Sequence, residues 1–461
     1  MVETSAPRNA PARHPVDQTL PPLKLVTSGL QHVAAMYAGV VAPPLVVGKA
    51  VGLTATQMTF LVGASLFTAG IATLLQTIGF WKVGARLPFV NGVSFAGVAP
   101  LVAIADTTDH HDSLPIMFGA VMVAGVLGFF VAPYFSKLVR FFPPVVTGSV
   151  ITLIGVSLLP VAIGWIADNG PTASVSDIVL ALITLVIVLV LRRLLTGFLQ
   201  QIAVLIGLVV GTVIAIPFGV TDFQAIRHAS VVGFPSPFHF GAPQFQIPAI
   251  VSMCIVMLVC LTESTADILA LGKVVDKPAD EATLAAGLRA DTLGSAISPL
   301  FNGFANSAFA QNIGLVAITK VRSRFVVAAG GVLLVLMGLC PVLASLIALV
   351  PGPVLGGAGI VLFGTVAASG VKTLAEADLH DGDNLLIMAV ALGVGVIPIV
   401  APHFYDHLDP HLQIVLQSGV SAGCLVAVLL NLAFHHVGRK RAPATEEQPA
   451  AEALADAVPS A

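Results

Sequence analysis

The sequence predicts an all-α polytopic membrane protein of about fourteen transmembrane segments, seven and seven in an inverted repeat, with short strands in the third and tenth segments. Three observations carry that expectation. Of 461 residues, 56% are hydrophobic and only 10% charged, with a mean hydropathy of +0.96, far outside the range of a soluble enzyme. Apolar runs near the length of roughly 20 residues that a spanning helix needs recur from Val26 to His435. Lys and Arg collect in alternate loops, as they do on the cytoplasmic side of a membrane.

In order, the first set of segments runs Val26 to Val47, Thr56 to Phe80, Leu87 to Ala105, Leu114 to Phe135, Val145 to Ile166, Val175 to Leu191, and Leu199 to Val220. The second set runs Ile247 to Gly272, Ala282 to Leu300, Phe304 to Thr319, Phe325 to Leu346, Pro351 to Ser369, Asn384 to Val400, and Ile414 to His435. With Arg8, Arg13 and Lys24 inside, the inside loops hold Lys82 and Arg86, Lys137 and Arg140, Arg192 and Arg193, and Lys273 and Lys277. They continue with Lys320, Arg322 and Arg324, with Lys372, and with Arg439, Lys440 and Arg441. Only Lys49 and Arg227 break the alternation. An even number of spans with both termini cytoplasmic follows, and an odd number per half inverts one half relative to the other. Residues 1–23 are polar and proline-rich, without the apolar core of a signal peptide, and read as a disordered cytoplasmic tail; residues 436–461 read as a second tail.

Composition also excludes. A net charge of -3 and a pI near 6.4 leave no reason for a nucleic-acid partner. Cys254, Cys260, Cys340 and Cys424 lie in apolar segments without metal-ligand spacing and read as buried thiols. His110 and His111, between Asp109 and Asp112, have no specific ligand spacing, so no metal is expected. No Ser-His or paired-Asp arrangement suggests a hydrolase.

The most informative stretch is FANSAFAQNIGLVAITKVRSR, from Phe304 to Arg324, which puts Asn306, Ser307, Gln311 and Asn312 into a membrane-length sequence. Side-chain amides in hydrocarbon need partners, and a solute can be one. It shares with LPFVNGVSFAGVAP, from Leu87 to Pro100, a short length broken by Gly, Pro or Asn, and each is third in its half. Interrupted segments in corresponding positions point to a binding site. Local strand is expected around Ser94-Phe95 and around Ser307 to Gln311, each leading into a half-helix. Glu263 and Asp267, four apart, share a helical face. A carboxylate at the centre of a membrane helix costs about 2.5 to 3.5 kcal/mol, so the pair asks for a role: accepting hydrogen bonds from ring N–H groups, or exchanging a proton. Asp291 poses the same question, although a salt bridge to Arg289 alone would satisfy it. Gln311 offers an acceptor and two donors to the edge of a heterocycle or an amide, whereas Asn312 points away in a strand and braces structure. His32, after Gln31, either shuttles protons or ties its helix to the carboxylates.

These residues together resemble the nucleobase-ascorbate transporter family, the second class of nucleobase:cation symporters, and look most like bacterial xanthine and uric acid permeases. The family signature, a polar residue followed by N-x-G-x-x-x-x-T, stands as QNIGLVAITK from Gln311 to Lys320. The QH pair of the first segment is Gln31-His32, the acidic motif of the eighth is TESTAD from Thr262 to Asp267, the Ser-Phe pair of the third is Ser94-Phe95, and the aspartate of the ninth is Asp291. Order and spacing cover nearly the whole chain. Two departures, Ala266 and Lys320, stand where many members carry Gly, and Gly or Arg, respectively.

The resemblance implies a core domain from residues 24–136 and 247–346 and a gate domain from 144–220 and 351–435. It implies a homodimer in a plasma membrane, that of a bacterium, moving substrate by an elevator-like displacement of core against gate. Glu263 would bind the substrate ring and Gln311 clamp its other edge. Backbone groups of Phe95 and Ala310, beside Ser94, would complete the site, and the Phe95 ring would stack on the base. Asp267, Asp291, His32, Asn312 and Gln31 would serve proton coupling or brace the site. Gln at the first signature position implies a purine, xanthine or uric acid. The function expected is secondary active import by symport with H+ rather than Na+, with no cofactor and no enzymatic activity. The alternatives are a uracil or other nucleobase carrier, an anion transporter of the same fold, or a channel.

Overall fold

Proline and small polar residues set where the long helices begin. The structure is a computed structural model that describes residues 14–138, 141–167, 172–221 and 230–436. Proline, which lacks the N–H that the first turn cannot pair anyway, opens α1 (Pro22–Ala50), α5 (Pro144–Ile166), α8 (Ile247–Val274) and α12 (Gly352–Leu374). Side-chain caps open α2 (Ala55–Thr77), where Thr54 and Gln57 form a reciprocal capping box, and α6 (Val175–Leu194), capped by Ser174. Asp280 caps α9 (Glu281–Ile297), Asp381 caps α13 (Gly382–Val400) and Ser418 caps α14 (Gly419–Asn431). The remaining helices used below are α3 (Val98–Thr107), α4 (His110–Val131), α7 (Ala203–Ala215), α10 (Ala310–Thr319) and α11 (Arg324–Gly338).

Among the described residues, eight helices are long and apolar enough to cross a membrane, and α3, α7, α10, α11 and α14 lie in shorter apolar helices. The outward faces are apolar as well. Ile178, Leu182, Val186 and Leu189 of α6 are all exposed, which water would penalise and lipid does not. The chain is a multi-pass, mostly helical membrane protein.

Three expected segments are broken. Phe325 to Leu346 divides before Pro341, whose ring and missing N–H end one helix and start the next, Pro341–Ala348. Leu199 to Val220 divides into Gly197–Gln201 and α7, and Ile414 to His435 divides at Gln417, between Pro410–Leu416 and α14.

Helices α1 to α4 and α8 to α11 pack chiefly among themselves: α11 against α1 and α2, α4 against α8 and α9. Helices α5 to α7 and α12 to α14 form the other group, in which α12 lies along α5 and α6, and α13 along α14. Among the described residues two strands, β1 (Asn91–Val93) and β2 (Asn306–Ala308), lie within the first group, β1 against α1 and α2 and β2 against α8 and α9. They pair antiparallel with Asn91 opposite Ala308, Gly92 opposite Ser307 and Val93 opposite Asn306. Ser94 N–H donates to the Ala305 carbonyl at 2.8 Å and Phe309 N–H to the Val90 carbonyl at 3.1 Å, extending the pairing at both ends. Each strand feeds a short helix: Ser94 caps a 3-10 turn, Phe95–Gly97, that runs into α3, and β2 runs through Phe309 into α10.

The strands thus lie slightly upstream of the positions expected for them. Ser94 and Phe95 follow β1 rather than belong to it, and Gln311 and Asn312 stand in the first turn of a helix. At the N-terminus, residues 14–18 do not form part of a disordered tail, because they find specific partners. Val16 is fully buried beside Leu87, Phe89 and Val316, and Asp17 pairs with Arg324 at 2.7 Å and Lys277 at 3.3 Å. Helix α1 then starts at Pro22. Residues 1–13 and 437–461, most of the two expected tails, lie outside the described residues.

Candidate functional site

A cavity of about 400 Å3 opens between the two helix groups. One wall comes from α1 (Ala34, Met36, Gly39), from Val93, Ser94 and Phe95, from Glu263 and Asp267 of α8, and from Ser307 to Gln311. The other comes from Ile151 and Ile154 of α5, from Arg192 and Gln201, and from Leu362, Thr365, Val366 and Ser369 of α12. Helix geometry explains the acidic pair: residues four apart in α8 sit one above the other on the face toward the cavity. Strand geometry explains the rest. The strands end at Val93 and Ala308, where the chain turns, so the first residues of two short helices point at one volume with backbone N–H groups that lack intrahelical partners.

All five residues expected at the substrate, Glu263, Gln311, Phe95, Ala310 and Ser94, line this cavity, and Asp267 joins them. The side chains of Glu263, Asp267 and Gln311 carry no hydrogen bond or ion pair to any described residue. Ser94 Oγ lies 3.3 Å from Cys260 Sγ and accepts from Ala96 N–H at 3.3 Å. The Phe95 ring meets Phe363 edge-on at 6.1 Å, so one face of the site is aromatic.

The other expected residues stand behind the wall. His32 is buried, and its Nδ1 faces the Asn312 side-chain oxygen. Asn312 Nδ2 donates in turn to the Pro88 carbonyl at 2.8 Å. In a helix, successive residues diverge by about 100°, which lets Gln311 enter the cavity while Asn312 turns toward α1. Asp291 does not line the cavity and does not pair with Arg289, which reaches the Lys82 carbonyl at 3.4 Å. One oxygen of Asp291 accepts from Gln76 Nε2 at 3.0 Å and from Asn91 Nδ2 at 2.5 Å, so it holds β1 to α2 and α9. Ser295 does the same for β2, donating to the Asn306 carbonyl at 3.1 Å and accepting its N–H at 2.9 Å. Gln31 is half-buried on α1 and lies outside the lining.

Sequence reasoning did not pick out Phe309, Arg192, Gln201, Thr365 or Ser369 as lining residues. A Cβ on Gly39 would come within 2.6 Å of one edge of the Phe309 ring, and one on Gly92 within 2.6 Å of the other, so two glycines make the slot for that ring. The pattern TVAAS, with Thr365 and Ser369 one helical turn apart in an apolar segment, was the available signal for the far wall.

Two interrupted strand-helix elements that pair with each other and open together onto one wall of a cavity inside a multi-pass bundle define a membrane transporter rather than an enzyme. Residues 23–404 match the model of the Permease family, and the chain belongs to that family, the nucleobase-ascorbate transporters. It is 40% identical over 433 residues to the uric acid permease PucJ of Bacillus subtilis, covering 92% of this chain and 96% of that one. The xanthine permease of the same organism is 39% identical over 89% of this chain and 94% of its own. The nucleobase transporter PlUacP of Paenibacillus larvae is 40% identical over 91% and 96%. Among solved structures, the transmembrane domain of a cyanobacterial bicarbonate transporter, BicA, matches with a TM-score of 0.56 over 90% of this chain and all of that one, at 16% identity. The murine anion transporter Slc26a9 matches with a TM-score of 0.58, covering 89% of this chain and 69% of that one, at 13% identity. These two likenesses concern the fold alone.

Proposed function

We propose that the chain imports a purine base, xanthine or uric acid, by proton symport. The observation that carries this reading is the meeting of Glu263 and Gln311 in one cavity, neither side chain engaged by any described residue. A planar oxopurine has N–H donors and carbonyl acceptors around its rim. A carboxylate accepts from the N–H groups, and the Gln311 amide both donates and accepts at another edge. Backbone N–H groups at Phe95 and Ala310 serve the carbonyls, and the Phe95 ring covers the base. Relatives named as xanthine and uric acid permeases support the substrate class.

In this reading α1 to α4 and α8 to α11 form the core, carried past a gate of α5 to α7 and α12 to α14 in an elevator-like stroke. The chain has fourteen segments in an inverted repeat, both termini in the cytoplasm, and works as a homodimer in a bacterial inner membrane. The separate packing of the two helix groups, with the cavity between them, supports the division. Glu263 takes up and releases the coupling proton as substrate loads, with Asp267 beside it; His32 and Asp291 brace rather than relay, because each is already engaged by an amide. An inorganic anion fits less well, having no N–H groups to offer Glu263 and Asp267.

The test is uptake of radiolabelled xanthine into bacteria lacking their own purine permeases, with and without a protonophore, against excess urate, uracil or ascorbate. Accumulation abolished by the protonophore and blocked by urate but not uracil or ascorbate is expected. Accumulation that survives the protonophore contradicts proton symport, and a block by uracil alone contradicts the purine assignment.

A further inference from the structure

We infer that Arg192, supplied by the second helix group, is a specificity-determining residue that selects the anionic form of the substrate; the inference rests on the purine reading above. Arg192 stands in the last turn of α6, on the opposite side of the cavity's two walls from Glu263 and Gln311. A basic residue there has an ordinary explanation, since cations suit the negative end of a helix dipole. Arg193 next to it answers that need equally well, yet only Arg192 lines the cavity. Arg192 makes no side-chain hydrogen bond or ion pair with any described residue, although Glu263 and Asp267 line the same volume. Its carbonyl accepts from Gln200 Nε2 at 3.0 Å, which fixes the turn that presents the side chain.

A second polar group stands with it. Gln201 lines the cavity and its Oε1 is buried without a hydrogen-bond partner among the described residues, while its Nε2 lies against the face of α10 that carries Gly314. The cavity therefore has two poles. The first wall offers acceptors for ring N–H groups at Glu263 and a mixed amide at Gln311. The second offers a guanidinium, whose fork of N–H donors matches an O–C–N edge bearing negative charge.

A purine that has lost one ring proton while keeping others fits both poles at once. Uric acid is such a monoanion at neutral pH; hypoxanthine is neutral there and gains nothing from a guanidinium. Because Arg192 and Glu263 belong to different helix groups, an anion bridging them couples the groups only while the cavity is occupied.

The experiment compares, within each variant, uptake of labelled urate with uptake of labelled hypoxanthine at neutral pH, so that differences in membrane abundance cancel. R192Q is expected to lower the urate-to-hypoxanthine ratio at least tenfold through a raised KM for urate, R192K to recover part of it, and R193Q to leave it unchanged. An R192Q ratio equal to that of the native protein overturns the inference while leaving the purine reading intact, as does an equal fall in R193Q. A native protein that takes up neither urate nor hypoxanthine overturns this inference, and one that takes up no xanthine either overturns the purine reading with it.

Discussion

His32 and Asn312, 280 residues apart in sequence, face each other with the histidine Nδ1 against the asparagine side-chain oxygen. The contact joins the middle of α1 to the first turn of α10, one residue from Gln311. Asn312 is held again by the Pro88 carbonyl, so a single amide fixes the start of the helix to both α1 and the approach to β1. Substituting Asn312 by Ala leaves a buried imidazole N–H and a buried carbonyl unpaired, at about 1 to 3 kcal/mol each. N312A is expected to melt well below the native protein in detergent and to raise the KM for substrate by displacing Gln311. An unchanged KM would show that Gln311 does not depend on this anchor.

Much of this was legible in the sequence. The lengths of α1, α2 and α5, the acidic face of α8 and the interrupted third and tenth segments follow from apolar runs, a four-residue spacing and Gly/Pro/Asn breaks. The exact ends of the strands were not, because a three-residue strand has too few positions for a period to register. Nor was the partner of Asp291. Proximity in sequence favoured Arg289, but residues two apart in a helix project to opposite sides, and Asn91 arrives from 200 residues away. The far wall of the cavity was equally hidden, since Arg192 reads as an ordinary cytoplasmic helix end until tertiary packing brings it to the cavity that α12 also lines.

Asp291 ties down the first strand. D291A removes the acceptor shared by Gln76 and Asn91 and is expected to destabilise the protein by about 2 kcal/mol or more, with transport lost in proportion to folded protein. D291N keeps one acceptor oxygen and should lose less. Equal thermal stability of D291A and native protein would contradict the bracing role.

Lys320 ends α10 in the left-handed region, at φ 56°. A side chain there costs about 1 to 2 kcal/mol that glycine avoids. K320G is expected to raise the melting temperature in detergent while leaving the urate-to-xanthine preference unchanged. A lower melting temperature would show that the Lys320 side chain contributes more than its backbone costs.

Asp17 clamps residues 14–18 to the loops carrying Lys277 and Arg324. Partial burial alone would raise its pKa, but Lys277 and Arg324 outweigh burial and hold it below the usual carboxylate range. A depressed folded-state pKa gives stability that is complete above the unfolded value and disappears as pH falls through the folded one. The difference in melting temperature between native protein and D17N is therefore expected at neutral pH, worth about 1 kcal/mol or less for so exposed a pair, and to vanish below the ordinary carboxylate range. A difference that persists unchanged into strong acid would contradict the ion-pair origin.

The central claim is that Glu263 holds the purine. Binding of radiolabelled xanthine to the purified protein in detergent, native against E263A, tests it with membrane energetics removed and with thermal melting as a check on folding. Saturable binding displaced by urate in the native protein, lost in a normally melting E263A, is the expected result. Undiminished binding in E263A would place the substrate elsewhere.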